Sequence, residues 1–288
     1  MEKKKEYKNQ RGGRNDRQRD TGKRQGFSQR DDRRVSSPRE ESEIGNGAVI
    51  GRNAVRELLR SGRAVDKLLV QSGEREGALV PLVGEAIARG IPVVETERRK
   101  LDTIANHAPH QGIIALAAEK EYCSVEDILA IAEERGEKPL VVIADGIADP
   151  YNLGAVIRCA EGCGAHGLII PKRHASGLTP VVTKASAGAI EHLAIAKVTN
   201  IAATVELLKE KGLWIYAAEA GGSDFRETDM TGAVAIVLGS EGDGVSELVR
   251  KKSDFIVSIP MYGKVNSFNV STAAAVLLCE AAHQQRKA

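Results

Sequence analysis

Three short blocks of this chain carry residues able to bind and orient a polar substrate: D-P-Y-N-L-G-A-V-I-R at 149–158, L-G-S-E-G-D-G at 238–244 and N-S-F-N-V-S at 266–271. Each stands where a strand-like apolar run gives way to a helical pattern. In open α/β sheets the loops at such strand ends face one crevice, so three of them can build a single site from amide, carboxylate, hydroxyl and guanidinium groups.

Each block also has a plainer reading. In the first, Leu153, Val156, Ile157 and Ala160 form an apolar stripe, so Arg158 lies on the opposite side of the helix and faces solvent, a partner or a ligand. On spacing alone an ordinary solvated arginine is favoured, and Asn152 reads as a helix N-cap after the turn formed by Asp149 and Pro150. In the second block, Gly239, Gly242 and Gly244 follow a buried strand and let the backbone approach a ligand closely, while Glu241 and Asp243 also suit the start of a helix. In the third, Asn266, Ser267 and Asn269 precede a helix whose Val270, Ala274, Leu277 and Ala281 form its buried face, and polar groups at such a start usually cap. The Ala273–Ala275 run suits close packing in a core or at a subunit interface.

The elements that must position these blocks alternate between strand and helix. A helix near Arg52–Arg60 precedes strands at Lys67–Gln71, Ile91–Glu95 and Ile113–Ala118, with helices at Ala78–Arg89 and Glu97–Ala105 between them. This predicts a compact α/β unit. A charged helix near Val125–Arg135, closed by Gly136, reads as a linker. Strand-like runs follow at Leu140–Ala144, Leu168–Ile170, Leu193–Val198, Leu213–Ala217, Val234–Leu238 and Phe255–Ile259, mostly separated by helices. That alternation predicts a mostly parallel sheet covered on both faces.

A length of 288 residues suits two domains, and the 42% hydrophobic content supports a folded majority. The net charge of +2 hides an asymmetry: residues 1–43 hold 14 Lys and Arg against 9 Asp and Glu, and the remainder holds 27 against 30. The stretch 1–46 is too poor in apolar residues to offset its chain entropy and is expected to be disordered. It reads equally as a solubilising extension or as a segment that binds phosphate backbones.

Met1–Lys5 is charged and no apolar core of a secretory signal follows, nor does any run reach the ~20 residues of a membrane span, so a cytoplasmic protein is expected. Cys123, Cys159, Cys163 and Cys279 lack Cys-x-x-Cys spacing and read as small buried side chains. The Gly-x-Gly-x-x-Gly at 162–167 ends a helix rather than opening one, the reverse of a dinucleotide site. No Walker loop or His-Glu-x-x-His occurs, and His107 and His110 read as loop or capping residues, so no metal is expected.

Across residues 139–283, the order and spacing of the three blocks resemble the motifs of the SpoU/TrmH family of RNA ribose 2′-O-methyltransferases, in the knotted SPOUT superfamily. The stretches I-I-P-K-R at 169–173 and K-A-S-A-G-A at 184–189 look like the RlmB group, which methylates a guanosine in the peptidyl-transferase P loop of 23S rRNA. I-G-R-N-A-V-R at 50–56 and H-Q-G-I-I-A at 110–115 are similar to that group's N-terminal domain, an RNA-binding unit of the L30e/L7Ae kind. The resemblance implies a tail (1–46), an L30e/L7Ae-like substrate-binding domain (47–122), a linker (123–138) and an α/β domain with a deep trefoil knot (139–288).

It further implies S-adenosyl-L-methionine held bent against backbone near Gly239, Ile259 and Phe268, and a homodimer with sites near its interface. Phe268 stands where the family usually has Leu, a difference confined to the shape of the adenosyl pocket. By the same resemblance Arg158 anchors the phosphate beside the target ribose or handles the hydroxyl proton, assisted by Asn152, Glu241, Ser267 and Asn269. Because guanidinium stays protonated in proteins, the anchor role is preferred for Arg158. A tRNA ribose methyltransferase and a non-catalytic RNA-binding assembly factor are the alternative readings.

Overall fold

The computed structural model describes residues 47–73 and 77–288, so the basic stretch 1–46 lies outside the described residues. Two sheets organise the chain. The first contains β1 (Ala48–Ile50), β2 (Val65–Gln71), β3 (Val93–Thr96) and β4 (Ile113–Ala117), in the order β1-β4-β2-β3. Strand β4 runs antiparallel to both β1 and β2, and β2 runs parallel to β3.

Alternation along these strands divides the core. Val49, Leu68, Val70, Ile113 and Ala115 meet α1 (Arg52–Ser61) and α2 (Val80–Ala88), while Ala48, Ile50, Leu69 and Ile114 meet α3 (Arg98–Ile104) through Leu101. The period of two therefore decides which helix each strand residue touches. Strand β1 was not expected, because three residues are too few for alternation to be read.

The second sheet holds β5 (Leu140–Asp145), β6 (Gly167–Pro171), β7 (Ala194–Val198), β8 (Trp214–Asp224), β9 (Val234–Gly239) and β10 (Phe255–Ser258). Their order is β10-β8-β9-β5-β6-β7, and every neighbouring pair is parallel. Leu140, Val142 and Ala144 pack under α5 (Pro150–Gly162), α6 (Pro180–Ala185) and α9 (Val270–Lys287). Val141 and Ile143 face the other way, toward α4 (Val125–Arg135), α7 (Ile201–Glu210) and α8 (Glu247–Lys252). Burial of both faces explains why β5 and β9 read as continuous apolar runs.

The stretch 123–138, expected as a linker, belongs to this second packing unit. A Ser124–Asp127 capping box starts α4, whose Val125, Ile128 and Ala132 are buried, and Cys123 bridges to Ala196 beside β7. The helix's many charges lie on its outer side and mask its narrow apolar face in the sequence. Among the cysteines, Cys163 is buried and Cys123 and Cys159 are half-buried, but Cys279 is exposed, contrary to expectation.

The two sheets meet through α1 and the short 3-10 turn Ala189–Glu191. Arg63 Nη2 lies 2.9 Å from Glu191 Oε1, whose side chain is only 1% exposed, and burial pushes the Glu191 carboxyl above the usual carboxylate range despite that cation. His192 Nε2 and Glu57 Oε2 add a contact at 3.0 Å.

One irregularity reaches the site. Ala217 pairs with Ile256, but the next pair along β10 joins Val257 to Ser223, so residues 218–222 of β8 have no partner on β10 and form a large bulge against it. The expected strand end at Ala217 marks the start of this bulge rather than the end of β8. Bulges commonly re-aim side chains next to active sites.

Candidate active site

The site begins at the N-terminus of α5. Asp149, not Asn152, is the N-cap: its carboxylate accepts from Tyr151 N at 3.2 Å and from Asn152 N at 3.3 Å, with Pro150 in the first turn. This corrects the capping expectation and leaves the Asn152 amide able to reach across. It donates to Glu241 Oε1, and its Oδ1 accepts from Asn269 Nδ2 at 3.0 Å.

Asn269 closes the network from the third block. Its Nδ2 also lies 3.0 Å from Glu241 Oε1, while its Oδ1 caps α9 by accepting from Ser271 N at 2.9 Å. One side chain thus both caps a helix and joins the cluster. Two amide donors hold a single Glu241 oxygen, so the carboxylate is oriented before any substrate arrives.

The loop after β9 is equally constrained. Ser240 N donates to Gly244 O at 3.0 Å and Gly244 N to Ser240 O at 3.1 Å, while Ser246 N donates to Asp145 Oδ2 at 2.8 Å. The chain folds back so tightly that a Cβ on Gly239 would stand 2.0 Å from the Gly244 carbonyl carbon and 2.2 Å from Val245 N. Gly239 is therefore required by a close backbone approach.

These segments enclose a cavity of about 630 Å³. Gly239, Glu241, Ile259, Ser267, Phe268 and Asn269 all line it, with Leu238, Val257 and Leu277 as an apolar wall. An apolar wall facing a few fixed polar groups suits a mixed ligand with one flat apolar part and one charged part. Asn152 joins this set through Glu241 and Asn269.

Arg158 does not. It is exposed on α5 and is not among the residues that line the cavity. Six residues beyond Asn152, it sits about 9 Å further along the helix and on a different face. The single chain therefore gathers four of the five expected catalytic side chains, leaving Arg158 outside.

Glu219 was missed. It lines the cavity from the β8 bulge, and its carboxylate lies 2.8 Å from Arg250 Nε. The available signal was its position at the carboxyl end of a parallel strand, but the strand was expected to end two residues earlier. Among the described residues no group of three or more His, Cys, Asp or Glu is arranged to hold a metal, and no helix is long and apolar enough to cross a membrane.

Residues 139–279 match the family model described as the SpoU rRNA Methylase family, and residues 48–123 match RNA 2′-O ribose methyltransferase substrate binding. The chain is 44% identical over 233 residues to the putative TrmH family tRNA/rRNA methyltransferase YacO of Bacillus subtilis, covering 81% of this chain and 93% of the relative. A Staphylococcus aureus protein of the same description is 42% identical over 233 residues, covering 81% and 94%. Among solved structures, the SpoU methyltransferase AviRb of Streptomyces viridochromogenes in complex with the cofactor AdoMet superposes with a TM-score of 0.70 at 23% identity, covering 88% of this chain and 96% of that one. That likeness bears on the fold.

Proposed function

Because the chain belongs to the SpoU methylase family of RNA ribose 2′-O-methyltransferases, we propose that it methylates a guanosine ribose in the peptidyl-transferase P loop of 23S rRNA. The carrying observation is the meeting of Asn152, Glu241 and Asn269, one from each block, at the mouth of a cavity lined by Gly239, Ile259 and Phe268. The choice of guanosine in rRNA rests on the RlmB-like segments at 50–56, 110–115, 169–173 and 184–189.

S-adenosyl-L-methionine is the family's cofactor, and when bound it supplies a methyl group already activated on a sulfonium. The cavity fits it: the apolar wall suits an adenine ring, and the polar rim with Glu219 and Glu241 suits its ribose and its charged methionyl end. Gly239, Ile259 and Phe268 would hold it.

The remaining task of the protein is to align a ribose 2′-hydroxyl with the methyl at near-contact distance. Glu241, oriented by Asn152 and Asn269, accepts a hydrogen bond from that hydroxyl or takes its proton, directly or through Ser267 or water. Arg158 anchors the phosphate beside the target ribose.

Since Arg158 lies outside its own protomer's cluster, the working unit in this reading is a homodimer in which the partner's Arg158 serves the cavity. Tyr151 (65% exposed), Tyr262 (87%) and Val265 (69%) offer apolar surface near the site for such an interface. Mixing Arg158→Ala protein with Asn269→Ala protein under exchange should then restore about a quarter of wild-type turnover, since half the dimers carry one intact site. Mixed samples as inactive as either parent would instead place Arg158 in the same protomer's site.

The substrate is tested by mass spectrometry of nucleosides from a 23S rRNA transcript incubated with the protein and S-adenosylmethionine, with tRNA transcripts alongside. A 2′-O-methylguanosine signal confined to the P-loop fragment is expected. The relatives are described as tRNA/rRNA methyltransferases, which supports a tRNA ribose as the second reading, and product from tRNA alone would move the substrate there. In this reading the protein acts in the cytoplasm. Absence of product despite cofactor binding would favour the non-catalytic assembly-factor reading.

A further inference from the structure

We propose that Cys163 and Cys279 are a modification site: a hydroperoxide converts the two thiols to a disulfide that staples the end of α5 to α9, and thiol reductants restore them. The methyl-transfer chemistry uses neither sulfur.

The pair stands at the far end of two helices whose near ends meet in the active site. Asn152, at the start of α5, bonds to Asn269 at the start of α9. Further along, Cys159 Sγ lies 3.6 Å from the Ser271 carbonyl oxygen, and Cys163 Sγ lies 3.1 Å from Cys279 Sγ. These contacts advance together along both helices, so α5 and α9 run side by side in the same direction. Cys163 and Cys279 are 116 residues apart in the chain, and the packing of buried Ala160 against Leu278 and Ala282 in one core sets their approach.

Distance and exposure divide the roles. A disulfide requires about 2.05 Å between sulfurs, so the pair must close by roughly 1 Å, a shift that side-chain rotation supplies. Cys279 is exposed and Cys163 is buried, so an oxidant meets Cys279 first. Burial, and after it the hydrogen bond to Cys279, push the Cys163 thiol up to about 12, which keeps the proton on Cys163. Arg286 Nη2 reaches the Cys163 carbonyl at 3.5 Å and brings a cation to this end of the helices, the kind of surroundings in which thiols react.

The reaction balances with the peroxide as the only oxidant. The Cys279 sulfur attacks one peroxide oxygen, the O–O bond breaks, an alcohol or water leaves, and Cys279 becomes a sulfenic acid. The Cys163 sulfur then attacks that sulfur, the S–O bond breaks, and the hydroxyl leaves as water with the Cys163 proton. Two electrons have passed from the two thiols to the peroxide. A small thiol reverses the step by exchange, so in a reducing compartment the disulfide lasts only as long as the oxidant. Closing so long a loop removes entropy from the unfolded chain, which raises the unfolding temperature of the oxidised form.

The test uses the full chain, reduced, freed of reductant, treated with hydrogen peroxide and blocked with N-ethylmaleimide. Peptide mapping by mass spectrometry should find Cys163 linked to Cys279, with Cys123 and Cys159 alkylated. A non-reducing gel should show single chains, and Tm should rise by about 5–10 °C and return with dithiothreitol. Cys279→Ser, at an exposed position, should abolish the linked peptide and the Tm rise while leaving the Tm of the reduced protein unchanged. Cys163→Ala removes the resolving thiol, so Cys279 should accumulate as a sulfenic acid that dimedone traps.

Four alkylated thiols after peroxide treatment, a Cys279 link between two copies, a link through Cys159, or a linked wild type with unchanged Tm overturns the proposal.

Discussion

Replacing Gly239 by alanine is expected to abolish measurable cofactor binding and to lower methyl transfer by about 100-fold or more, the cost of displacing a reacting group by roughly 1 Å. The new methyl group would stand 2.0 Å from the Gly244 carbonyl carbon and 2.3 Å from its oxygen. Both obstacles are backbone, so no rotamer change relieves the overlap. The loop must open, and the paired Ser240 and Gly244 amides would lose their alignment. Glu241, the next residue, would move with them and break from Asn152 and Asn269.

Overpacking of this kind costs about 1–3 kcal/mol of stability, so a lowered Tm should accompany the loss. Calorimetric titration with S-adenosylmethionine is the direct measurement. Gly242→Ala is the control, because a Cβ there would meet nothing within 4 Å. Near wild-type cofactor affinity in the Gly239→Ala protein would show that the loop is softer than its hydrogen bonds indicate.

Arg158→Ala is expected to reduce kcat by about 100- to 1,000-fold, the range seen when one electrostatic group aimed at the reacting centre is removed. Cofactor affinity and Tm should not change, since Arg158 is exposed and lies outside the cavity lining. Arg158→Lys should retain part of the RNA affinity, as lysine keeps the charge but loses the planar fork that binds phosphate through two bonds. RNA affinity and single-turnover rates across a wide pH range separate the roles. A lysine variant with full RNA affinity and no turnover at any pH would count against phosphate anchoring and favour a part in proton removal.

The elements most legible in the sequence were those whose side chains meet the same environment along their whole length. Helix α4 was expected at Val125–Arg135 and is found there, since Ser124 caps one end and Gly136 closes the other. Strands β5 and β9 were evident because burial on both faces leaves no polar residue inside them. The role of α4 was not evident: whether a charged helix links two units or covers a sheet depends on what lies beside it. Helix α6, six residues long, was likewise missed, being too short for its period to show.

The sequence alone determined the kinds of residue in the site and their place at strand ends, because turn chemistry and the end of an apolar run are local properties. Gly239, Ile259 and Phe268, which only the family resemblance singled out, line the cavity. What only the tertiary structure decided is how distant groups combine. Asn152 and Asn269 are 117 residues apart and Asn152 and Glu241 are 89 apart, yet each pair shares a hydrogen bond. The order of the parallel strands sets those contacts, and no local pattern encodes it. The same holds for Glu219, which the β8 bulge turns toward the cavity, and for Arg158, which helix geometry leaves outside it. Residue types and periodicity are written into each segment, whereas proximity arises from the packing of segments that make no contact until the chain has folded.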